Sequence, residues 1–369
     1  MGIRLKLGVV AGAIALTAAG LATNASAADG HAAQASNRHG PALDHIFVIM
    51  LENHSQSSVI DDVNAPYMTE LAHTYSMADN YYGVTHPSMP NYIASIAGDN
   101  YGIQDDNDQN VVNFDRPNLA EQLTAAHIRW GAYMEDLPAD KLARQWPDNT
   151  ALYAKKHNPF VLFDGIKNDP AEMAKVKDYS QLGTDLNSPD APQFVWISPN
   201  QCHDMHGGVY VAVPDHPETP CPYGSTKDDA NDAALKQKAD HFVEAAVDTI
   251  MSSKAWTKRS AIFIVTDEND FTGNPETDGW ESAEGCCDSP YVGNADPRVP
   301  GWTGGTYGGG LIPAIVVSAS GPRGYVGHTP YNHYSMLTTI EQNWHLPYLG
   351  HAGDTAGGVV GMWPLIQGH

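Results

Sequence analysis

Four apolar runs, each followed at once by polar side chains, constrain the fold of this chain more than any other feature. The runs extend from Asp44 to Leu51, from Phe194 to Ile197, from Ala261 to Val265 and from Ile312 to Val317. They are nearly continuous in apolar, often β-branched residues, which is typical of strands buried on both faces of a sheet. Each run ends abruptly in a loop rich in polar functional groups.

Helical patterns lie between these runs. The stretches from Asp229 to Ser252 and from Tyr334 to Trp344 each carry an apolar stripe, and Asn118 to His127 and Ser88 to Ala97 predict shorter helices. Strands that alternate with helices indicate an α/β fold, with a mostly parallel central sheet covered by helices in three α/β/α layers. Ligands of such sheets bind beyond the carboxyl ends of the strands, so the polar loops mark the expected site.

The N-terminus has the pattern of a secretory signal peptide. Arg4 and Lys6 precede an apolar run from Leu7 to Leu21 and a small-residue site at Ala25-Ser26-Ala27. The run is short and rich in Ala and Gly for a membrane span of about 20 residues, although an N-terminal anchor is the alternative. We expect a secreted, soluble protein made of a signal peptide over residues 1–27, a flexible leader over residues 28–40 and one domain over residues 41–369.

The chain is strongly acidic, with a net charge of −23 at neutral pH. A signal peptide that contains Arg4 and Lys6 and no acid would leave −25 after its removal. Such a charge argues against nucleic acid and anionic membranes as partners, and it repels phosphate groups at long range. Chemistry on a phosphate group would therefore need a locally positive site, which a bound cation can supply.

Four cysteines in an exported chain favour disulfide bonds. The sequence leaves the connectivity open, and we expect Cys202 to pair with Cys221 and Cys286 with its neighbour Cys287. A metal–thiolate site is the alternative, disfavoured because no CxxC spacing occurs. The second pair falls in a stretch from Phe271 to Gly310 without periodicity, which we interpret as a long ordered surface loop near the site, with disorder as the alternative.

Two acidic pairs follow two of the predicted strands. Glu52-Asn53 comes directly after the first run, and Asp267-Glu268 comes shortly after Val265. Either pair alone is also explained as a strand-ending turn or a helix cap. Two such pairs after strands of one sheet favour a shared hard divalent cation, which prefers oxygen ligands.

The segment GVTHPSMPNYIASIAG supplies candidate nucleophiles. Thr85 precedes His86-Pro87-Ser88, where a helix is predicted to begin. Backbone N–H groups and the helix dipole favour a phosphate dianion beside a hydroxyl at such a position. Thr85 or Ser88 can instead cap the helix, and one can cap while the other attacks. We assign His86, Ser88 and Asn91 to substrate binding.

Histidines cluster after two predicted strands. His203, Asp204 and His206 follow one, and His328 and His333 follow another. Such clusters are better candidates than lone histidines for binding phosphate oxygens or protonating a leaving group. We assign His203 and Asp204 to substrate binding, and we interpret as structural or surface residues His39, His45, His73, His157 and His369.

Five segments in order resemble the bacterial phosphoesterase family that contains acid phosphatases and phosphocholine-type phospholipases C. They are LENHS, THPSMPNY, SPNQCHDMH, TDEND and YNHYSMLTTIE, and the resemblance extends from about Asp44 to Leu346. The peptides YMED and KHNPF are similar to family segments as well. The family belongs to the alkaline-phosphatase-like superfamily, so the resemblance implies an alkaline-phosphatase-like fold.

The resemblance also implies an activity and a set of roles. The expected activity is hydrolysis of a small-molecule phosphate monoester with a divalent metal cation as cofactor and a phosphothreonine intermediate. A phospholipase C or other phosphodiesterase on the same scaffold is one alternative, and a non-catalytic secreted metal-binding or adhesion protein is another. The implied roles are metal ligation by Glu52, Asn53, Asp267 and Glu268, nucleophilic attack by Thr85, and contact with the phosphate by His206 and His333.

Overall fold

A computed structural model describes residues 42–147, 151–224, 229–269, 284–290 and 308–367. The expected signal peptide, the leader and most of the stretch from Phe271 to Gly310 lie outside these residues. The strands are β1 His45–Leu51, β2 Ser76–Ala78, β3 Tyr81–Tyr82, β4 Trp130–Met134, β5 Gln145–Trp146, β6 Tyr153–Ala154, β7 Val176–Asp178, β8 Phe194–Ser198, β9 Ser260–Thr266, β10 Ala314–Ser318, β11 Tyr325–Gly327 and β12 Tyr331–Asn332. The α-helices are α1 Gln56–Val59, α2 Pro66–Thr74, α3 Ser88–Ala97, α4 Leu119–Ala125, α5 Asp164–Lys167, α6 Pro170–Met173, α7 Leu182–Leu186, α8 Ala230–Met251, α9 His333–Trp344 and α10 Trp363–Gln367.

Eight strands form the central sheet, in the order β11-β2-β10-β9-β1-β8-β4-β7. Neighbouring strands pair in parallel except at β10, which runs antiparallel to both β9 and β2. The mostly parallel sheet is therefore confirmed. One expectation was wrong: because β10 runs the opposite way, the polar loop that follows it, from Ser318 to Gly324, starts at the opposite edge from the loops that follow β1, β8 and β9.

The side chains of β1 alternate between two apolar cores, one on each face of the sheet. Ile46, Val48 and Met50 join a core with α3 and α9, whereas Phe47, Ile49 and Leu51 join a core with α2 and α8. All six side chains are at most 1% exposed. This burial explains why the run lacks polar residues, and the two cores confirm the three-layer α/β/α arrangement.

The predicted helices form close to their expected ends. Asp229 caps α8 by accepting the Asn231 N–H at 2.7 Å, and Asn118 caps α4 by accepting the Glu121 N–H at 3.1 Å. Asn332 caps α9 in a capping box with Ser335. These side chains satisfy N–H groups that a helix start leaves without a partner. Of the helices within the described ranges, none is both long and apolar enough to cross a membrane.

Both expected disulfides are present. Cys202 pairs with Cys221 and closes a loop of 19 positions, and Cys286 pairs with its neighbour Cys287. The four cysteines of the chain are therefore all oxidised. The expectation of disulfides is confirmed over a metal–thiolate site.

Candidate active site

The two predicted acidic pairs lie side by side because β1 and β9 are parallel neighbours whose last residues are paired. The Asn53 N–H donates to Asp267 Oδ1 at 3.0 Å, which joins the two loops directly. β8 lies on the other side of β1, and the Glu52 N–H donates to the Asp204 carbonyl in the loop after β8 at 2.7 Å. The carboxyl ends of three neighbouring strands thus form the base of one site.

Ser88 brings a hydroxyl into this acidic cluster. It is the first residue of α3 and is 1% exposed. Its Oγ lies 2.9 Å from Glu52 Oε2, 3.3 Å from Glu268 Oε1 and 3.4 Å from Asn53 Oδ1. A single hydroxyl proton can serve only one of these acceptors at a time. Oxygens that converge in this way are the arrangement that a hard cation requires of its ligands.

Thr85, the predicted nucleophile, has a different position. Its side chain is fully buried, and its Oγ1 donates to the His86 carbonyl at 3.3 Å. Its backbone N–H donates to Asn91 Oδ1 at 3.0 Å, so Thr85 belongs to a loop that α3 holds in place. Among the contacts of the described residues, none joins the Thr85 hydroxyl to the acidic cluster. The geometry therefore favours Ser88, the alternative that the sequence left open.

Asn91 holds this loop, which differs from its predicted role in substrate binding. Its Oδ1 accepts the N–H groups of Val84 and Thr85 at 2.9 and 3.0 Å. Its Nδ2 donates to the carbonyls of Thr85 and Pro87 at 2.7 and 3.2 Å. These four bonds use the donors and acceptors of the amide, so Asn91 fixes the segment that leads into Ser88.

Two histidines assigned to substrate binding are held by carboxylates. His86 is buried, and its Nδ1 pairs with Glu268 Oε2 while its Nε2 contacts Asn269 Oδ1 at 2.8 Å. His203 pairs through Nδ1 with Glu135 Oε1 at 2.9 Å. His86 therefore orients one of the converging carboxylates, and His203 supports the loop that follows β8.

His333 holds the main chain of Asp267, one of the candidate metal ligands. Its Nε2 donates to the Asp267 carbonyl at 2.6 Å, and its Nδ1 accepts from the Tyr81 hydroxyl at 3.1 Å. Burial lowers the pKa of His333 to about 4. A neutral ring with both nitrogens engaged positions the main chain of Asp267, which differs from the predicted contact with phosphate.

His157, interpreted from the sequence as structural or surface, lies in the site. Its Nδ1 donates to Asp204 Oδ2 at 3.1 Å, and its Nε2 lies 3.2 Å from Glu52 Oε1. Burial and then the nearby Lys156 ammonium lower the pKa of His157 well below its usual range. The unprotonated Nε2 therefore faces a carboxylate oxygen with no hydrogen bond between the two atoms. Two acceptor atoms at this distance fit a cation bound to both, and carboxylate-bound histidines are common metal ligands.

Asp204 and His206 complete this wall of the site. The second oxygen of Asp204, Oδ1, accepts the His206 N–H at 2.8 Å, so both carboxylate oxygens have partners within the protein. His206 donates through Nδ1 to the Gly207 carbonyl at 2.9 Å, and burial lowers the pKa of His206 to about 3. Its Nε2 is therefore an acceptor in this arrangement, and the predicted contact of His206 with the phosphate stays a prediction.

Lys156 and Asp106 are site residues that the sequence analysis did not assign. Lys156 Nζ lies 3.4 Å from Ser88 Oγ and 3.0 Å from Asp106 Oδ2. Asp106 Oδ1 in turn accepts the Met89 N–H of α3 at 3.0 Å. The sequence feature that could have identified Lys156 is the peptide KHNPF, which resembles family segments and contains both Lys156 and His157. Neither residue follows a predicted strand of the sheet, and the sequence analysis assigned site residues mainly in the loops that follow such strands.

The charges of the acidic cluster indicate what it can hold. Glu52, Asp267 and Glu268 are at most 2% exposed. Burial, and then repulsion from a neighbouring carboxylate, raises the pKa values of Glu52 and Asp267 well above their usual range. No hydrogen-bond donor within the described residues reaches Asp267 Oδ2. Carboxylate, amide and hydroxyl oxygens that converge without sufficient positive charge fit a divalent cation.

Comparisons with known proteins give phosphatases as relatives. The chain is 27% identical to the phosphate-repressible acid phosphatase of Penicillium chrysogenum over 317 residues, 85% of this chain and 62% of that protein. It is 26% identical to an acid phosphatase of Aspergillus fumigatus, over 85% of this chain and 58% of that protein. A phosphatidylinositol-3-phosphatase of Mycobacterium tuberculosis is 32% identical over 168 residues, 46% of this chain and 53% of that protein. The chain thus spans about three fifths of the length of its fungal relatives.

Solved structures are similar to this chain at low sequence identity. A structure from work on glycosaminoglycan metabolism by Bacteroides thetaiotaomicron aligns with a TM-score of 0.51 and 13% identity, over 89% of this chain and 82% of that chain. A protein of the alkaline phosphatase superfamily from Vibrio parahaemolyticus aligns with a TM-score of 0.47 and 10% identity, over 84% of this chain and 68% of that chain. The model of the Phosphoesterase family matches residues 59–217 and 222–347, and the chain belongs to that family.

Proposed function

We propose that this protein is a metal-dependent phosphomonoesterase of acid-phosphatase type in which the Ser88 hydroxyl attacks phosphorus. The observation that carries the proposal is the position of Ser88 Oγ, 2.9 Å from Glu52 Oε2 and 3.3 Å from Glu268 Oε1 at the start of a helix. A nucleophilic hydroxyl needs a nearby group that favours loss of its proton. This site offers carboxylates for that purpose and a fit for a divalent cation.

The residues of the chain divide the reaction between them. Ser88 Oγ forms a bond to phosphorus while the bond from phosphorus to the ester oxygen breaks. The serine proton moves to Glu52 Oε2, its present hydrogen-bond acceptor, and the leaving alkoxide takes up a proton from solvent. Water then attacks phosphorus and loses a proton to solvent, the bond from phosphorus to Ser88 Oγ breaks, and Glu52 returns its proton to Ser88 Oγ as inorganic phosphate leaves. Asn91 and His333 hold Ser88 and Asp267 in register throughout.

The expected metal ligands are the oxygens of Glu52, Asn53, Asp267 and Glu268, with Ser88 Oγ among them. A divalent cation bound there would lower the pKa of the hydroxyl and neutralise charge on the phosphoryl oxygens. The unpartnered Asp267 Oδ2 and the lone pairs of His157 and Glu52 that face each other support this assignment.

The phosphatase reaction is favoured over the phospholipase C reaction by the names of the relatives. The fungal proteins are acid phosphatases, and the mycobacterial protein is a phosphatidylinositol-3-phosphatase. Turnover of any phosphate ester would also exclude a purely metal-binding or adhesive role. We propose that the substrate is a small-molecule phosphate ester.

We propose that the protein acts outside the cytoplasm. The signal-peptide pattern from Arg4 to Ala27 and the two disulfides, Cys202 with Cys221 and Cys286 with Cys287, support export. Fractionation of cells that express the full sequence, followed by N-terminal sequencing of the exported form, tests this proposal. Full-length protein retained in the cytoplasm would contradict it.

The kinetics of two alanine variants test the proposed nucleophile. Ser88→Ala should lower kcat on p-nitrophenyl phosphate by about 10³-fold or more, since the attacking oxygen is lost. Thr85→Ala is the matched control, because it removes a hydroxyl three residues away that donates to a backbone carbonyl, and it should remain within about tenfold of wild type. The assays use saturating divalent cation, and thermal melts verify that both variants fold. An active Ser88→Ala or an inactive, folded Thr85→Ala would refute the assignment.

A further inference from the structure

The ammonium group of Lys156 faces Ser88 Oγ, the proposed attacking atom. Its Nζ lies 3.4 Å from Ser88 Oγ, and the side chain is 21% exposed, whereas the three carboxylates of the cluster are at most 2% exposed. The acids therefore form the buried side of the site, and Lys156 lies on its open side. A phosphoryl group that reaches Ser88 from solvent meets this ammonium.

The ammonium is anchored but keeps capacity for a further acceptor. Asp106 Oδ2 accepts a hydrogen bond from Lys156 Nζ at 3.0 Å. The other oxygen of the same carboxylate accepts the Met89 N–H, so Asp106 connects the lysine to α3. His206 Nε2 lies 3.5 Å from the same nitrogen, at the limit of a hydrogen bond. A lysine ammonium has three N–H donors, and the one that now approaches Ser88 is free to turn to a phosphoryl oxygen.

A cleft of about 210 Å³ adjoins Lys156. Lys156 and Asp106 line it together with Arg144, Lys155 and Gln201. Lys156 therefore lies between Ser88 and a cleft that solvent can enter.

Resting on the proposed function, we propose that Lys156 binds a terminal phosphoryl oxygen and makes the site selective for phosphate monoesters over diesters. A monoester dianion carries three terminal oxygens and two negative charges, whereas a diester carries two terminal oxygens and one charge. Three buried carboxylates with one divalent cation leave a net negative charge, so the second charge of a monoester needs a further cation. Charge-assisted hydrogen bonds from an ammonium to such an oxygen are short and strong.

The test compares one neutral variant on two esters with the same leaving group. Lys156→Met should lower kcat/KM for p-nitrophenyl phosphate by about 100-fold, and for methyl p-nitrophenyl phosphate by less than about tenfold. Lys156→Arg keeps the charge and should recover part of the monoester activity. Lys155→Met is the matched control, because the neighbouring Lys155 pairs with Asp108 at 3.5 Å, and it should leave the ratio of the two activities unchanged.

Inhibition by inorganic phosphate gives a second readout if wild-type turnover of the diester is too slow to measure. Its inhibition constant should rise at least about tenfold in Lys156→Met and stay unchanged in Lys155→Met. An equal loss on both esters, or an unchanged phosphate inhibition constant, would overturn the inference while the wild type still hydrolyses monoesters. Failure of the proposed function is a separate result, seen as a wild type inactive on both esters or a Ser88→Ala variant with full activity.

Discussion

Ser88 owes its position to short contacts on every side. Asn91 fixes the segment before it with four hydrogen bonds, and Lys156 Nζ and Glu52 Oε2 lie 3.4 and 2.9 Å from its Oγ. The hydroxyl is thus held in place, which would lower the reorganisation needed for the proposed attack on phosphorus. The proposed chemistry depends on a few side chains, each positioned by another.

His157 provides a test of the metal site that needs no activity. His157→Ala should raise the dissociation constant of the divalent cation about 10- to 100-fold, since it removes an imidazole 3.2 Å from Glu52 that Asp204 orients. His45→Ala is the control, because His45 begins β1 and contacts the Pro192 carbonyl at 2.9 Å. Competition with a fluorescent chelator measures both constants. An unchanged constant in folded His157→Ala would exclude His157 from the metal site.

Some residues of the site directly follow a strand of the central sheet and could be predicted from the sequence, whereas others could not. Glu52 and Asp267 directly follow β1 and β9, so their proximity could be predicted once the sheet was taken as parallel. Ser88 and Thr85 are three residues apart in one loop, and only the backbone path of that loop decides which hydroxyl faces the acids. Lys156 could not be placed, because it lies in a 3-10 helix outside the central sheet.

At the scale of elements, α3 and α9 carry the supporting residues of the site. α3 begins at Ser88, and α9 begins at His333, whose ring holds the Asp267 carbonyl. The two helices pack in the same apolar core, with Ile93 and Ile340 among its buried side chains. Apolar spacing predicted both helices, and α9 begins one residue before the predicted start at Tyr334, after the Asn332 cap.

Glu341, in α9, gives the fold a pH dependence that is independent of metal. It is fully buried, its Oε1 accepts the Leu349 N–H at 2.8 Å, and burial raises the pKa of Glu341 to about 9. The native carboxyl stays protonated, whereas the unfolded chain ionises above its ordinary pKa of 4.5. The contribution of the protonated Glu341 carboxyl to the free energy of unfolding is therefore complete below about pH 4.5. Above that pH it falls by about 1.4 kcal/mol per pH unit, up to about pH 9.

Glu341→Gln keeps an acceptor for the Leu349 N–H and removes the ionisation. Its free energy of unfolding should therefore decline less than that of wild type between pH 5 and pH 9. Urea titrations in saturating divalent cation measure the slope at several pH values. Identical slopes for the two proteins would show that the native carboxyl is already ionised near neutral pH.

At the scale of the whole molecule, sheet topology brings the functional groups together. β1, β8 and β9 are adjacent and parallel, so their loops meet at one edge although residues such as Asn53 and Asp267 are 214 positions apart in sequence. The direction of β10 could not be predicted, because a buried strand reads the same in either direction. The net charge of −23 makes a local cluster of cations necessary at a site for phosphate esters.

The central claim is that Ser88 carries the phosphoryl group during turnover, and mass spectrometry of the acid-quenched protein tests it most directly. Protein mixed with p-nitrophenyl phosphate and quenched within milliseconds should gain the mass of one phosphoryl group. Fragmentation of the peptide that contains THPSMPNY should locate the group on Ser88, and Ser88→Ala should show none. A phosphoryl group on Thr85, or turnover by wild type with no covalent phosphate at any quench time, would contradict this account.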